Sequence, residues 1–479
     1  MNQLSLFDRS RREFLRLGGL ALPFGMSLAS QLAGIRRSRV GAIEPNSPTA
    51  PGFGRAKSVI LVYCCGGQSQ LELWDPKPQA PAEIRGAFRA ISTSVPGTFF
   101  GEHQPRIAKL ADRFTVVRSM SHADLDHGSA TYLTLTGKYH RKISGNPPPL
   151  PIDEPTLGAV LHAARPARRF PYDAVHLNGP LLAPTLPSAG QQAGFLGNRY
   201  EPLVLGDVTQ GAQLLPDLAA QPDLPPLRMQ ERQSLKESLD RYARDLADTP
   251  ASRDSKSLYT QALALLDAPQ SRLAFDLSLE TEQTRERYGR NQSGQALLMA
   301  RRLVEAGLPL VTVFWSPSNR GQDIRPESTD AYGWDTHNDI FAALEHHLMP
   351  RFDLGFSALL EDLEQRGLLD STLVVCLGEF GRAPLVALEK RFAGSSPGRK
   401  HWANVYSIVF AGAGVSRGKV VGASDHHGGR PDGDRFGPWD TVATIYSALG
   451  IDPAGHYTDP QGRPIPLSVG KPITDLYRG

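Results

Sequence analysis

Ser58-Val-Ile-Leu-Val-Tyr-Cys-Cys-Gly-Gly67 is a continuous apolar run of strand length that ends on two glycines. An unbroken run, in place of an alternating one, marks a strand buried on both faces, as at the centre of a parallel sheet. The carboxyl ends of such strands are where open α/β sheets bind their ligands. The loop that follows contains Asp75-Pro-Lys-Pro78, and its two prolines forbid an immediate helix.

Outward from this run, further strands are expected over Phe114–Met120, Asp173–Leu177, Leu308–Trp315, Ser371–Leu377 and Asn404–Ala411. Helices are expected over His103–Arg113, from near Gly128, and over Leu227–Leu266, Ser278–Ala306, Asp339–Arg366 and Trp439–Leu449. In the fifth of these, Phe341, Leu344, Leu348, Phe352 and Leu359 recur roughly at helical spacing, and Gly367 stops it. Strands alternating with helices imply an α/β fold, a doubly wound, mostly parallel sheet with helices on both faces and long loop and helix insertions. Residues 179–226, dense in Pro, Gly and Gln, read as long loops over the sheet edge, the usual carriers of substrate contacts.

At 479 residues the chain suits one large domain with insertions or two domains. The organisation expected is an export signal over 1–40, a linker over 41–56, and an α/β domain over 57–470 with an insertion at about 140–290. A net charge of +3 without a Lys/Arg stripe interleaved with aromatics argues against a nucleic-acid partner. Cys64, Cys65 and Cys376 lie in apolar runs and read as buried small hydrophobes, not as a disulfide framework.

Ser10-Arg-Arg-Glu-Phe-Leu-Arg16 matches the twin-arginine export pattern. The stretch behind it, Leu17–Ala33, is too interrupted by Gly18, Gly19, Pro23 and Gly25 to span a membrane. The address expected is therefore the bacterial periplasm or the outside, with the twin-arginine machinery as partner and a membrane tether only through an uncleaved signal. That route carries folded proteins, often after cofactor insertion, which fits a metalloprotein.

The chemistry concentrates elsewhere. In Ala331-Tyr-Gly-Trp-Asp-Thr-His-Asn338, Asp335 and His337 stand two apart at the mouth of a helix, where Thr336 or Asn338 is expected to cap it. Carboxylate and imidazole form a ligand set for first-row metals, and Glu379 or His401 can complete it from distant loops. Three protein ligands on Zn²⁺ leave a position for water or substrate, the catalytic pattern; Mn²⁺ and Ca²⁺ are the alternatives. Glu379 is then a fourth ligand or general base, and Arg382 a bidentate anion clamp.

A polar loop, Ser121–Asp126, leads into the helix near Gly128, whose first N–H groups suit an oxyanion. His122, Asp124, Asp126 and one of His426 and His427 are further possible ligands, whereas His346 and His347 read as surface or packing residues.

Strand-then-Gly-Glu-Phe-Gly-Arg at 372–382, Gly-Trp-Asp-Thr-His at 333–337, Asp-Pro-Lys-Pro at 75–78 and His-Gly-Ser-Ala-Thr at 127–131 resemble the exported bacterial family called domain of unknown function 1501. That family is similar in layout to the alkaline phosphatase and sulfatase superfamily. The resemblance implies an alkaline phosphatase-like core and a metal-dependent hydrolase acting on phosphate or sulfate esters of a small molecule or glycan. It also implies a first metal site of Asp335, His337 and His401. The second site is depleted, since no Asp follows the first strand before Asp75 and the late Asp-His pair reads Glu379-Phe380. The superfamily's nucleophile position falls on His127, with Ser129 and Thr131 nearby, and no Cys-x-Pro-Ser-Arg is present. The rival expectation is a catalytically degenerate member that binds a ligand or partner.

Overall fold

A computed structural model describes residues 50–166, 170, 172–210, 273–320 and 332–478. The export signal, most of the linker and the Leu227–Leu266 helix therefore lie outside the described residues. The main strands are β1 (Ser58–Cys64), β2 (Phe114–Met120), β3 (Ala174–Leu177), β4 (Leu203–Leu205), β5 (Leu310–Trp315), β6 (Thr372–Leu377), β7 (Tyr406–Ala411) and β8 (Lys419–Val421). The helices that cover them are α1 (His127–Thr136), α2 (Leu157–Ala164), α3 (Glu282–Tyr288), α4 (Gln292–Glu305), α5 (Ile340–Ala343), α6 (Met349–Gln365) and α7 (Pro438–Ala448).

The eight strands form one sheet in the order β8-β2-β7-β6-β1-β5-β3-β4, with β1 near its middle. Strand β7 runs antiparallel to both β2 and β6, and every other neighbouring pair is parallel. Alternate residues of β1 feed two separate cores. Ile60, Val62 and Cys64 pack with Leu297 of α4 and Phe352, Phe356 and Leu359 of α6. Val59, Leu61 and Tyr63 pack with Leu135 of α1, Val160 of α2 and Ile445 of α7. A strand buried on both faces needs the apolar run that the sequence supplies. The three cysteines are buried and free, with Cys64 and Cys376 sulfurs 4.0 Å apart on adjacent strands.

Four details differ from the sequence expectations. The Ser278–Ala306 helix breaks into α3 and α4, because Gly289 adopts φ +89°, a conformation that glycine tolerates and a helix does not. The Asp339–Arg366 helix contains a π-helical segment, Leu344–Leu348, between α5 and α6. The residues 179–226 supply a short edge strand, β4, paired with β3, which a three-residue run among prolines and glycines did not reveal. Neither Thr336 nor Asn338 caps a helix: the N-cap is Asp339, in the left-handed region at φ 54°, and the Asn338 side chain reaches across to another loop.

The topology makes one rim of the sheet. Strands β1, β2, β5 and β6 all run the same way, so the chain after each emerges at one edge, and antiparallel β7 begins there. Gly66, His122, His127, Asp335, Glu379 and His401 all lie on these connections.

Candidate metal centre

The connection after β1 turns through Gly66, at φ +110°, where a Cβ would lie 2.3 Å from the Asp335 nitrogen. Glycine thus permits two connections to touch, and Trp334 N–H donates to the Cys65 carbonyl across that contact at 2.8 Å. After β6, Gly381–Arg382 pairs antiparallel with His401–Trp402, which sets His401 opposite Arg382. These contacts carry three distant segments to one place.

Asp335 is the centre of the cluster and is 1% exposed. Its Oδ1 lies 3.2 Å from His337 Nε2 and 3.2 Å from His401 Nε2, and its Oδ2 lies 3.2 Å from His127 Nε2. The His337 and His401 Nε2 atoms are 2.9 Å apart. Donor atoms of His127, Asp335 and His401 all fall within 4.8 Å of one another. Tetrahedral Zn²⁺ with bonds of about 2.0 Å spaces its ligand atoms by roughly 3.3 Å, close to the shorter of these separations. The buried His127 Nε2 has no aligned hydrogen-bond partner, as a nitrogen waiting for a cation requires. His401 donates from Nδ1 to the Leu125 carbonyl at 2.7 Å, and His127 Nδ1 lies 2.6 Å from Glu379 Oε1. Both contacts leave the Nε2 atoms turned toward Asp335. By donor chemistry, spacing and the unpartnered nitrogen, the cluster fits a divalent ion.

Electrostatics follows from burial and these neighbours. Burial works against a charged His127, yet Asp335 and Glu379 on its two nitrogens outweigh it and raise its pKa to about 9. Burial pushes His337 down to about 2, with Arg382 adding to it against the pull of Asp335, and lowers His401, with His127 adding to it. Burial also disfavours the Asp335 carboxylate, but His127 and Arg382 hold it well below the usual carboxylate range.

The expected site residues divide. Asp335, His337 and His401 come together. His127, expected at a nucleophile's place, presents a ring nitrogen to the same group; nothing in its local sequence distinguishes that use. Glu379 meets the cluster through His127: its Oε1 lies on His127 Nδ1 and accepts from Gly66 N–H at 2.8 Å. It is the outer carboxylate of a carboxylate–histidine pair, with its buried Oε2 unpartnered.

Arg382 is 0% exposed and spends four of its five N–H groups on the Gly66, Gly67 and Arg399 carbonyls and on Asp335 Oδ1 at 2.8 Å. It is a buried counter-cation of Asp335, held mainly by backbone carbonyls. Ser129 is also turned away: its hydroxyl donates to Asp124 Oδ1 at 2.7 Å and accepts from Gly145 N–H at 3.1 Å. The N–H groups expected to bind an oxyanion are filled too, Gly128 by Asn146 Oδ1 and Ser129 by the Gly145 carbonyl.

His122 braces the site from behind. Its Nδ1 accepts from Asp124 N–H at 3.1 Å, so its Nε2 donates to the Glu379 carbonyl at 2.7 Å. Burial lowers it to about 4 and keeps it neutral. Asp126 is the N-cap residue of α1, and the His426 and His427 rings lie against each other, tilted by 45°, in a separate loop. His347 stacks on Tyr332, a packing role.

An α/β protein with three histidines and a carboxylate gathered at one sheet rim is the class that fold and site define. Residues 56–477 match the family described as protein of unknown function (DUF1501), and the chain belongs to that family. No curated protein matches it in sequence. Among solved structures it is similar to a phosphonate monoester hydrolase from Silicibacter pomeroyi, 12% identical, TM-score 0.40, over 88% of this chain and 76% of that one. It is similar to an alkaline phosphatase superfamily protein from Vibrio parahaemolyticus, 10% identical, TM-score 0.40, over 95% and 79%. A third is a lipoteichoic acid synthase from Listeria monocytogenes, 10% identical, TM-score 0.36, over 92% and 93%. Among the described residues no helix is long and apolar enough to cross a membrane.

Proposed function

We propose that the protein is an exported, metal-dependent hydrolase of phosphate or sulfate esters of a small molecule or glycan. The observation that carries this reading is the gathering of His127, Asp335 and His401 donor atoms within 4.8 Å of one another, with His337 Nε2 beside Asp335 and His401. A divalent ion there, Zn²⁺ being the best match to a nitrogen-rich set, supplies Lewis-acid polarisation of an ester oxygen and brings the pKa of water toward neutrality. The chain's own residues do the rest. Asp335 and the three imidazoles hold the ion, and Glu379 and the Leu125 carbonyl fix the ring orientations of His127 and His401. The unpartnered Glu379 Oε2 is available as a proton acceptor close to the cluster. The match of Ser10–Arg16 to the twin-arginine pattern supports delivery to the periplasm or beyond by that machinery.

Metal analysis of the purified mature protein, with nitrophenyl phosphate and nitrophenyl sulfate assays before and after His337→Ala, tests the reading. Bound metal and an activity that both fall in the variant support it; a metal-free, inactive wild type overturns it. A ligand-binding member without turnover is the second reading. The commitment of Ser129 to Asp124 favours it, because it removes the hydroxyl nucleophile expected nearby.

Protons must move when the ion binds. In the metal-free protein His127, raised to about 9, carries a proton at neutral pH, while His337 and His401 are neutral. Loading near about pH 7.5 is therefore expected to release about one proton, read by calorimetry in buffers of different ionisation heat. Protonation competes below His127's pKa, so apparent affinity climbs roughly tenfold per pH unit toward 9 and levels off above it. His127→Asn is expected to abolish the release; an unchanged release in that variant contradicts the assignment.

A further inference from the structure

Resting on the metal-centre reading above, we propose that Phe392 is the positioning residue of His337, its ring face giving that imidazole the orientation that a polar partner gives the other two histidines. The three rings are held unequally. His127 Nδ1 meets Glu379 Oε1 at 2.6 Å, and His401 Nδ1 donates to the Leu125 carbonyl at 2.7 Å. His337 turns Nε2 toward Asp335 Oδ1 and His401 Nε2, while its buried Nδ1 has no hydrogen-bond partner among the described residues. A metal-bound imidazole ordinarily has its second nitrogen tied, and that tie fixes the plane of the ring. Something else must fix the plane of His337.

The Phe392 ring lies 3.8 Å from the His337 ring, centre to centre, at an angle of 17°. Tilting the imidazole would drive one of its edges into the neighbouring ring, so a near-parallel contact holds the plane as a hydrogen bond would. The guanidinium carbons of Arg320 and Arg391, 4.7 and 5.1 Å from the centre of the Phe392 ring, hem that ring in.

The platform is anchored to the same backbone that carries His337. Asn338 donates from its amide to the Glu389, Phe392 and Ala393 carbonyls at 3.0–3.1 Å and accepts from Glu389 N–H at 2.8 Å. Asp339 accepts from the Ser395 and Ser396 N–H groups at 3.1 and 2.7 Å. Gly398 passes so near that a Cβ there would lie 2.4 Å from the His337 carbonyl oxygen. Of residues 391–397 only Phe392 is turned inward, and the rest are exposed. Two residues that follow His337 thus hold an exposed segment whose one inward side chain is the ring laid on that histidine.

The test uses Co²⁺ alone as probe on the full-length mature protein, with affinity read by chelator competition and the visible spectrum read in the same samples. Four-coordinate Co²⁺ absorbs far more strongly than six-coordinate, so the band reports the ligand arrangement without turnover. Phe392→Leu keeps an apolar side chain and removes the flat face. It is expected to alter the band and to weaken Co²⁺ binding about 2- to 10-fold, the range of an aromatic pair worth about 0.5–1.5 kcal/mol. Phe392→Tyr, which keeps the ring, is expected to match wild type in both. Wild-type affinity and spectrum in Phe392→Leu overturn the assignment, as does a Phe392→Tyr that falls with it. A lowered melting temperature of the metal-free Phe392→Leu protein beside a wild-type Co²⁺ spectrum also overturns it, by making the ring a support of its own loop. If Phe392→Leu does not fold, Asn338→Ala, which releases the segment, is expected to give the same spectral change, and an unchanged spectrum there overturns the proposal. A wild type that binds no Co²⁺ overturns the metal centre beneath it, a failure distinct from the others.

Discussion

Asp335→Asn is expected to leave the protein with background levels of divalent metal and without measurable ester hydrolysis. The change keeps the side chain's shape and removes one negative charge that is 1% exposed and touches His127, His337, His401 and Arg382. Removing one partner of a buried ionic cluster costs about 3–5 kcal/mol, because the remaining charges stay buried. A fall in thermal stability should accompany the metal loss. The carboxylate's pKa is depressed, so its stabilising share is present above the ordinary carboxylate pKa of about 4 and fades as pH falls through the lower folded value. Elemental analysis and a thermal melt read both effects. If the variant does not fold, His401→Gln asks the same question at a residue whose side chain is 18% exposed. Wild-type metal content in both variants removes the centre from consideration.

Glu379→Gln is expected to weaken metal binding by about 10- to 100-fold and not to abolish it, the usual effect of losing the outer partner of a metal-bound histidine. Its Oε1 lies on His127 Nδ1 at 2.6 Å and accepts from Gly66 N–H at 2.8 Å, so it orients and polarises a ligand from behind. The same change removes a charge that raises the His127 pKa, so proton release on loading should shift to lower pH. Competition titration with a chelator separates the two roles. Complete metal loss returns Glu379 to direct coordination; no change in affinity or in the proton release denies it either role.

The fold was largely legible. Ser58–Cys64, Phe114–Met120, Leu310–Trp315 and Thr372–Leu377 are rich in apolar residues and, apart from half-buried Arg118, buried on both faces, as a covered central sheet requires. The breaks that escaped notice are local. Gly289 ends one helix through its backbone conformation, and the Leu203–Leu205 edge strand is too short to show a period.

The candidate site was legible in kind more than in arrangement. Asp335 and His337 stand two apart, so the backbone itself keeps them together. The roles given to Glu379 and Arg382 changed because each met a neighbour that spacing cannot reveal: His127 from α1 for one, the carbonyls of Gly66 and Gly67 for the other. Asn338 read as a helix cap and is a clamp on a loop more than fifty residues away.

Sequence by itself determined that buried parallel strands end in loops bearing carboxylates, imidazoles and guanidiniums, because apolar runs and glycine-marked ends are local properties. Tertiary structure alone decided which imidazole nitrogens face Asp335 and which arginine is walled in. Those outcomes depend on four strands sharing one direction and a fifth entering against them. That brings connections hundreds of residues apart within hydrogen-bond distance, and orientation there is fixed by whichever backbone carbonyl or carboxylate lies across the gap.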